Sequence, residues 1–275
     1  MSIRSYAIAT AATVAAMIAV GSAHATTVTT STSQAAFIAL NSANAQALAD
    51  QVNWGLFDDS LHQPHENGSI PTGSMMTTTL NEAVKASASD HNAFVTYVEG
   101  GPNWKGDFAS GMTILATSAN SVTLSFGTPL IGLGLHAQIL DPGVYTETVT
   151  AYSSLCTDPT GATCTDAAHG LLGHVTNTGT STGAGATGHE GSAPFAGIST
   201  NAANTTASLA ASGISFVVIS NTGSNGDGFA IDTSLIYHYA IAPVGPPPPA
   251  PEPATLGLLG VGLLGLGLAR RRSRA

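Results

Sequence analysis

The sequence predicts a mainly β protein. Its body is expected to be a β-sandwich or jelly-roll-like domain with one N-terminal helix, followed by a short C-terminal transmembrane helix. Three observations predict this. Apolar residues alternate with polar or small ones along several runs, which is the two-residue period of a strand. Gly, Pro, Asn and Asp punctuate those runs as turn signals. Only 8% of the 275 residues are charged, against roughly 25% in an average soluble protein, which excludes a coiled coil or a charged disordered tail.

The elements follow in order. Residues 33–50 are Ala-rich, and Phe37, Leu40 or Asn41, Ala45 and Leu48 recur near helical spacing. One helix is expected there, capped by Ser33. Strand patterns cover residues 93–98, 113–117, 122–126, 144–152 and 214–220. Between them Ile131, Leu133, Leu135, Ala137 and Ile139 alternate with Gly132, Gly134, His136 and Gln138. That gives one apolar face and one polar or small face. Phe229, Ile231, Leu235, Tyr237 and Tyr239 alternate with Asp232, Ser234 and His238 in the same way. Residues 176–191 hold many Gly, Thr and Ala and no large apolar residue, so a flexible loop is expected. Many short strands after a single early helix suggest a sandwich or jelly roll.

The two ends read as addresses. Arg4 precedes an uncharged stretch rich in Ala, Val and Ile, and Ala23-His24-Ala25 supplies the small-x-small site that signal peptidase reads. Residues 1–25 are therefore expected to be a signal peptide, cut to leave Thr26. Residues 26–242 form the exported domain. Residues 243–250 are a Pro-rich spacer, since proline lacks an amide donor and favours an extended chain. Pro251-Glu252-Pro253 follows. Residues 254–269 then carry seven Leu, five Gly and no charge, before Arg270, Arg271, Arg272 and Arg274. As a helix this span is about 24 Å long, short for a hydrocarbon core of roughly 30 Å, though flanking arginines can snorkel. Those arginines place the C-terminus in the cytoplasm and the body outside.

The body's charge narrows its partners. Residues 26–242 contain two basic residues, Lys85 and Lys105, and fifteen acidic ones, a net charge of −13. Such a body is repelled by nucleic acid and by anionic lipid headgroups.

Cys156 and Cys164 are the only cysteines and bracket a short turn-like insert. An even, closely spaced pair in an exported protein reads as a disulfide. His62 and His65, and His169 and His174, have ligand-like spacing, but each pair lacks the further ligands a zinc site needs. Residues 221–228 are dense in oxygen side chains. Asn225 and Asp227 are weak calcium candidates, and a hairpin turn explains the same residues without an ion. No cofactor is expected. There is no HExxH or P-loop, and fifteen scattered acids do not single out a glycosidase pair. Trp54, Trp104, Tyr145, Tyr152, Tyr237 and Tyr239 could stack on sugars if exposed, but aromatics in a sandwich are more often core.

The tail resembles the PEP-CTERM sorting signal of Gram-negative bacteria. Residues 251–255, the Leu/Gly span and the arginine cluster each match one of its parts. The resemblance implies recognition and cleavage by an exosortase near Pro251-Glu252-Pro253, in an exopolysaccharide-producing, biofilm-forming host. A looser resemblance to the bodies of PEP-CTERM proteins rests on Trp54-Gly55, on residues 104–108, on 122–126 leading into 131–138, and on 228–232. It implies a jelly-roll-like sandwich, similar to some carbohydrate-binding modules. The expectation is thus a non-enzymatic surface or matrix protein, tethered transiently by its tail and then delivered to the cell exterior. The alternatives are a sugar-binding module and, behind it, a hydrolase with an unrecognised site.

Overall fold

The computed structural model describes residues 27–44, 47–52, 54, 68–98, 106–109, 111–183, 191–223, 228–232 and 234–239. The chain is mainly β. In order it forms β1 (Val28–Ser31), α1 (Gln34–Ser42), β2 (Ala47–Val52), β3 (Gly68–Ile70), β4 (Met75–Thr77) and β5 (Ala83–Ala88). Next come β6 (Phe94–Val98), β7 (Thr113–Thr117), β8 (Ser121–Leu130), β9 (Gly132–Ile139) and β10 (Gly143–Tyr152). The last are β11 (Leu171–Ser181), β12 (Phe195–Thr200), α2 (Thr206–Ser212), β13 (Ile214–Gly223), β14 (Phe229–Ile231) and β15 (Ser234–Tyr239).

The strands form two sheets. One has nine strands, in the order β1-β12-β9-β14-β7-β6-β3, with β15 pairing both β9 and β2. The other has six, in the order β11-β10-β13-β8-β5-β4. One core joins them. Leu133, Leu135, Phe229, Ile231 and Ile236 of the first sheet share it with Val84, Leu124, Val149, Val217 and Ile219 of the second.

The helix is shorter than its pattern. Ser33 caps it, accepting from the Ala36 amide, but it ends at Ser42. Residues 47–52 form a strand instead, because they pair in antiparallel register with β15. This pairing also places the buried Asp50 carboxylate where the Leu80 amide and the Thr79 hydroxyl donate to it. A second helix, α2, was not signalled by apolar spacing, and Thr205 caps it by accepting from the Ser208 amide. The expected loop at 176–191 begins as a strand, since β11 runs to Ser181 along β10. Its small residues reflect packing: a Cβ on Gly179 would lie 2.7 Å from the Tyr145 ring and 2.8 Å from Pro194.

The small face of β9 is the seat of α1. A Cβ on Gly134 would lie 2.4 Å from the Phe195 ring and 2.9 Å from Phe37 of α1. The alternating run at 229–239 is two strands, β14 and β15, broken after Ile231. Asp232 fills the break. The His136 backbone amide of β9 donates to Asp232 Oδ1 at 2.9 Å, and His136 Nδ1 lies 2.7 Å from Oδ2. A carboxylate thus satisfies an N–H that would otherwise be left without a strand partner.

Candidate functional site

Of the residues behind the loose body resemblance, Trp54, His136 and Asp232 meet at that break. The Trp54 indole is fully buried and donates to the Asp232 carbonyl. Buried Asp107 accepts from the Thr182 amide at 3.0 Å and the Thr182 hydroxyl at 2.7 Å, while its own amide donates to Gln138 Oε1 at 2.9 Å. Phe108 packs with Ile114, Ala116, Ala193 and Ala230 on the far side of the nine-stranded sheet. Residues 104 and 105 lie outside the described residues.

Glu147 is a different kind of buried acid. It points into the core from β10, directly across from Asn221 of β13. Neither Glu147 carboxyl oxygen, nor either amide atom of Asn221, has a hydrogen-bond partner among the described residues. Burial, reinforced by the negative charge of Asp232, pushes the Glu147 carboxyl well above its usual range.

The cysteines are joined, with Cα atoms 5.6 Å apart. The closed loop does more than turn. Both cysteines pack with Tyr152 and Phe216, whose rings stack at 4.7 Å on the outer side of the six-stranded sheet. Inside the loop the Asp158 carboxylate accepts from the hydroxyls and amides of Thr160 and Thr163. The Thr160 hydroxyl bond is the largest reason its pKa falls to about 2.

Beneath this loop lies a groove of about 530 Å³. Its floor is the outward face of β5 and β8, where cross-strand pairing sets Lys85 opposite Ser125 and Ser87 opposite Thr123. The next pair, Ser89 and Ser121, is joined by an amide-to-carbonyl bond of 3.0 Å. Pro159 and Thr160 of the disulfide loop form one wall. The Thr123 hydroxyl donates to the Pro159 carbonyl at 3.3 Å, tying wall to floor. The sequence carried a signal for this site in 83–89, where Val84, Ala86 and Ala88 alternate with Lys85, Ser87 and Ser89. The run is weakly apolar, so its period is easily passed over.

The other sequence candidates do not assemble. His169 pairs with Asp166, at 2.7 Å on an exposed 3-10 turn, and His174 stands on β11. Among the described residues no three His, Cys, Asp or Glu side chains gather as a metal site. Trp54, Tyr145, Tyr152 and Tyr237 are buried and Tyr239 is half-buried, so none of these five offers an open ring face for sugar stacking. His62, His65, Trp104, Asn225 and Asp227 lie outside the described residues. So do the signal-cleavage residues Ala23, Ala25 and Thr26. The sorting residues Pro251, Glu252 and Pro253, the span at 254–269 and Arg270, Arg271, Arg272 and Arg274 are outside as well. No helix among the described residues is long and apolar enough to cross a membrane.

Fold and tail together define an exported-type β protein with a C-terminal sorting segment. The PEP-CTERM protein-sorting motif matches residues 249–272. The chain thus carries the sorting signal that marks exosortase substrates. No curated protein and no solved structure matches the chain.

Proposed function

We propose that this is an exported, exosortase-processed surface or extracellular-matrix protein that works beside exopolysaccharide in a biofilm and catalyses no reaction. The observation that carries this reading is the sorting motif at 249–272. In it, signal peptidase releases the chain at Thr26, and the span at 254–269 holds it briefly in the inner membrane. The Pro-rich spacer keeps Pro251-Glu252-Pro253 near the membrane face, where a membrane-embedded enzyme can cut. The body is read as a jelly-roll-type sandwich that reaches the cell exterior. Its buried acids support the absence of catalysis. Asp50, Asp107 and Asp232 each accept hydrogen bonds from the chain's own donors, and Glu147 is sealed in the core. This role needs neither a cofactor nor calcium at Asn225 and Asp227. A second reading, a carbohydrate-binding body, is favoured by the hydroxyl-lined groove.

Glu252 is the one charge in residues 243–269, which makes it the natural recognition handle. Glu252→Ala, expressed in a host with its exosortase, should stay in the inner membrane with Arg274 still attached. Wild type should leave the membrane without it. Fractionation and mass spectrometry of the C-terminal peptide check this. Equal retention of Arg274 and equal membrane residence in both proteins would make the tail an ordinary anchor.

A further inference from the structure

We propose that the groove beneath the Cys156–Cys164 loop binds a linear glycan in which neutral sugars separate single carboxylates. This rests on the reading of the protein as a partner of exopolysaccharide and names the site and the glycan class.

Shape comes first. The three cross-strand pairs of the floor are two residues apart along each strand, so the floor runs for about 14 Å. A shallow strip of this length, open to solvent above, suits a stretch of polymer better than an enclosed small molecule. The wall is already fixed. The disulfide closes the loop, the Tyr152–Phe216 stack seats it, and Thr123 ties it to the floor. A preorganised wall lowers the ordering cost of binding.

Chemistry comes second. Ser87 and Ser125 present hydroxyls that both donate and accept, as sugar hydroxyls do, and Thr123 Oγ1, whose proton goes to Pro159, can still accept. Among the described residues no Trp, Tyr or Phe lines the groove, so recognition here runs through hydrogen bonds rather than ring stacking.

Charge decides the glycan class. Lys85 is exposed, and no carboxylate lies within ion-pair distance of it among the described residues. The nearby acids are occupied: Asp158 bonds within its own loop, and Asp90 accepts from Asn92 and Ser118. A single free ammonium on the floor matches one carboxylate. The surrounding body carries a net charge of −13. Screening confines the reach of Lys85 to about 8 Å at physiological salt. A densely charged polyanion would therefore meet one ammonium and, beyond its reach, a body of net negative charge. A wholly neutral chain would leave the ammonium unused. A sparsely carboxylated chain meets both conditions.

The test uses the processed protein purified from culture medium, with immobilised gellan, in which neutral sugars separate the carboxylates. Carboxyl-reduced gellan and alginate, which is charged on every sugar, are the comparison probes. Gellan should retain the protein at least tenfold better than either. Lys85→Met should lose that advantage and Lys85→Arg should keep it, both with unchanged circular dichroism and thermal midpoint. Equal binding of carboxyl-reduced gellan, tighter binding of alginate, undiminished binding by Lys85→Met, or no retention on any of the three overturns the proposal. Failure of the export reading shows separately, because wild type would then never appear processed in the medium.

Discussion

The two sheets make opposite use of small residues. In the nine-stranded sheet, β7, β9 and β14 are buried on both faces. One face joins the common core. The other is covered by Phe37 of α1 and by Phe195, Tyr237 and Ala202, and further along by Phe108 and Ala193. In the six-stranded sheet, buried and open positions alternate, as along β5 and β10. Glycines on β9 are small so that a helix can approach, whereas serines and threonines on β5 and β8 are small, polar and open to solvent. Small side chains alone therefore do not say whether a strand face is covered. The chemistry of the alternate residues and the presence of a covering segment do. The open face is also the one where a solute can reach the sheet.

The largest expected effect is on the covered face. Phe37 is fully buried and meets Phe195 and Tyr237, each with ring centroids 5.5 Å away. Phe37→Ala should lower unfolding free energy by about 3–5 kcal/mol, read from urea denaturation. A loss below about 1 kcal/mol would mean that α1 is a passive cover, and the contrast between the sheets would collapse.

Next is the loop on the open side. Replacing both cysteines, as Cys156→Ser with Cys164→Ser, should cost about 2–3 kcal/mol in the chain-entropy model for so short a loop. The same variant should expose Tyr152 to solvent, read by its fluorescence. An unchanged midpoint would show that the Tyr152–Phe216 stack holds the wall without the covalent link.

Legibility in the sequence followed side-chain size. Strands with several large apolar residues, such as Thr113–Thr117 and most of β10, announced themselves. Strands built mainly from small residues, β2 and β11, did not. Residues 47–52 carry helix-compatible Ala and Leu, and only their pairing with β15 makes them a strand. Thr and Gly in β11 look like a loop until Tyr145 and Pro194 are seen filling the space above Gly179. The disulfide was legible because pairing two lone cysteines needs no tertiary knowledge. The groove was not, because it joins 83–89, 121–125 and 159–160, which no local pattern connects. The tail was legible because its three parts are contiguous.

Between the sheets lies a third test of the comparison, since the shared core is apolar except for a few residues such as Glu147 and Asn221. Its raised pKa means that the folded state binds this proton more tightly than the unfolded chain. That contribution is present in full below the unfolded value of about 4.3 and is lost as pH rises through the folded value. The slope from this group is at most about 1.4 kcal/mol per pH unit. Glu147→Leu removes an unpartnered carboxyl and should stabilise the protein by about 1–3 kcal/mol. The gain should widen as pH increases above about 4.3. Denaturation midpoints of both proteins across that range check the sign. A gain that shrinks with rising pH would show that the carboxylate is stabilised in the folded state.

The smallest effect sharpens the comparison most, because it sets one substitution type against itself on the two sheets. Ala116 of β7 is buried against Phe108 and Ala230, so Ala116→Val must push its neighbours apart, at about 1–3 kcal/mol. Ser87 of β5 lies on the open floor, half-buried, with no covering segment among the described residues packed on it. Ser87→Val adds two methyl groups where there is room, and valine suits a strand. Its unfolding free energy should therefore stay within about 0.5 kcal/mol of wild type. Gellan retention should nonetheless fall, because a hydroxyl of the floor is gone. A large destabilisation by Ser87→Val would mean that this face is packed against something, and the open sheet would prove to be covered as well.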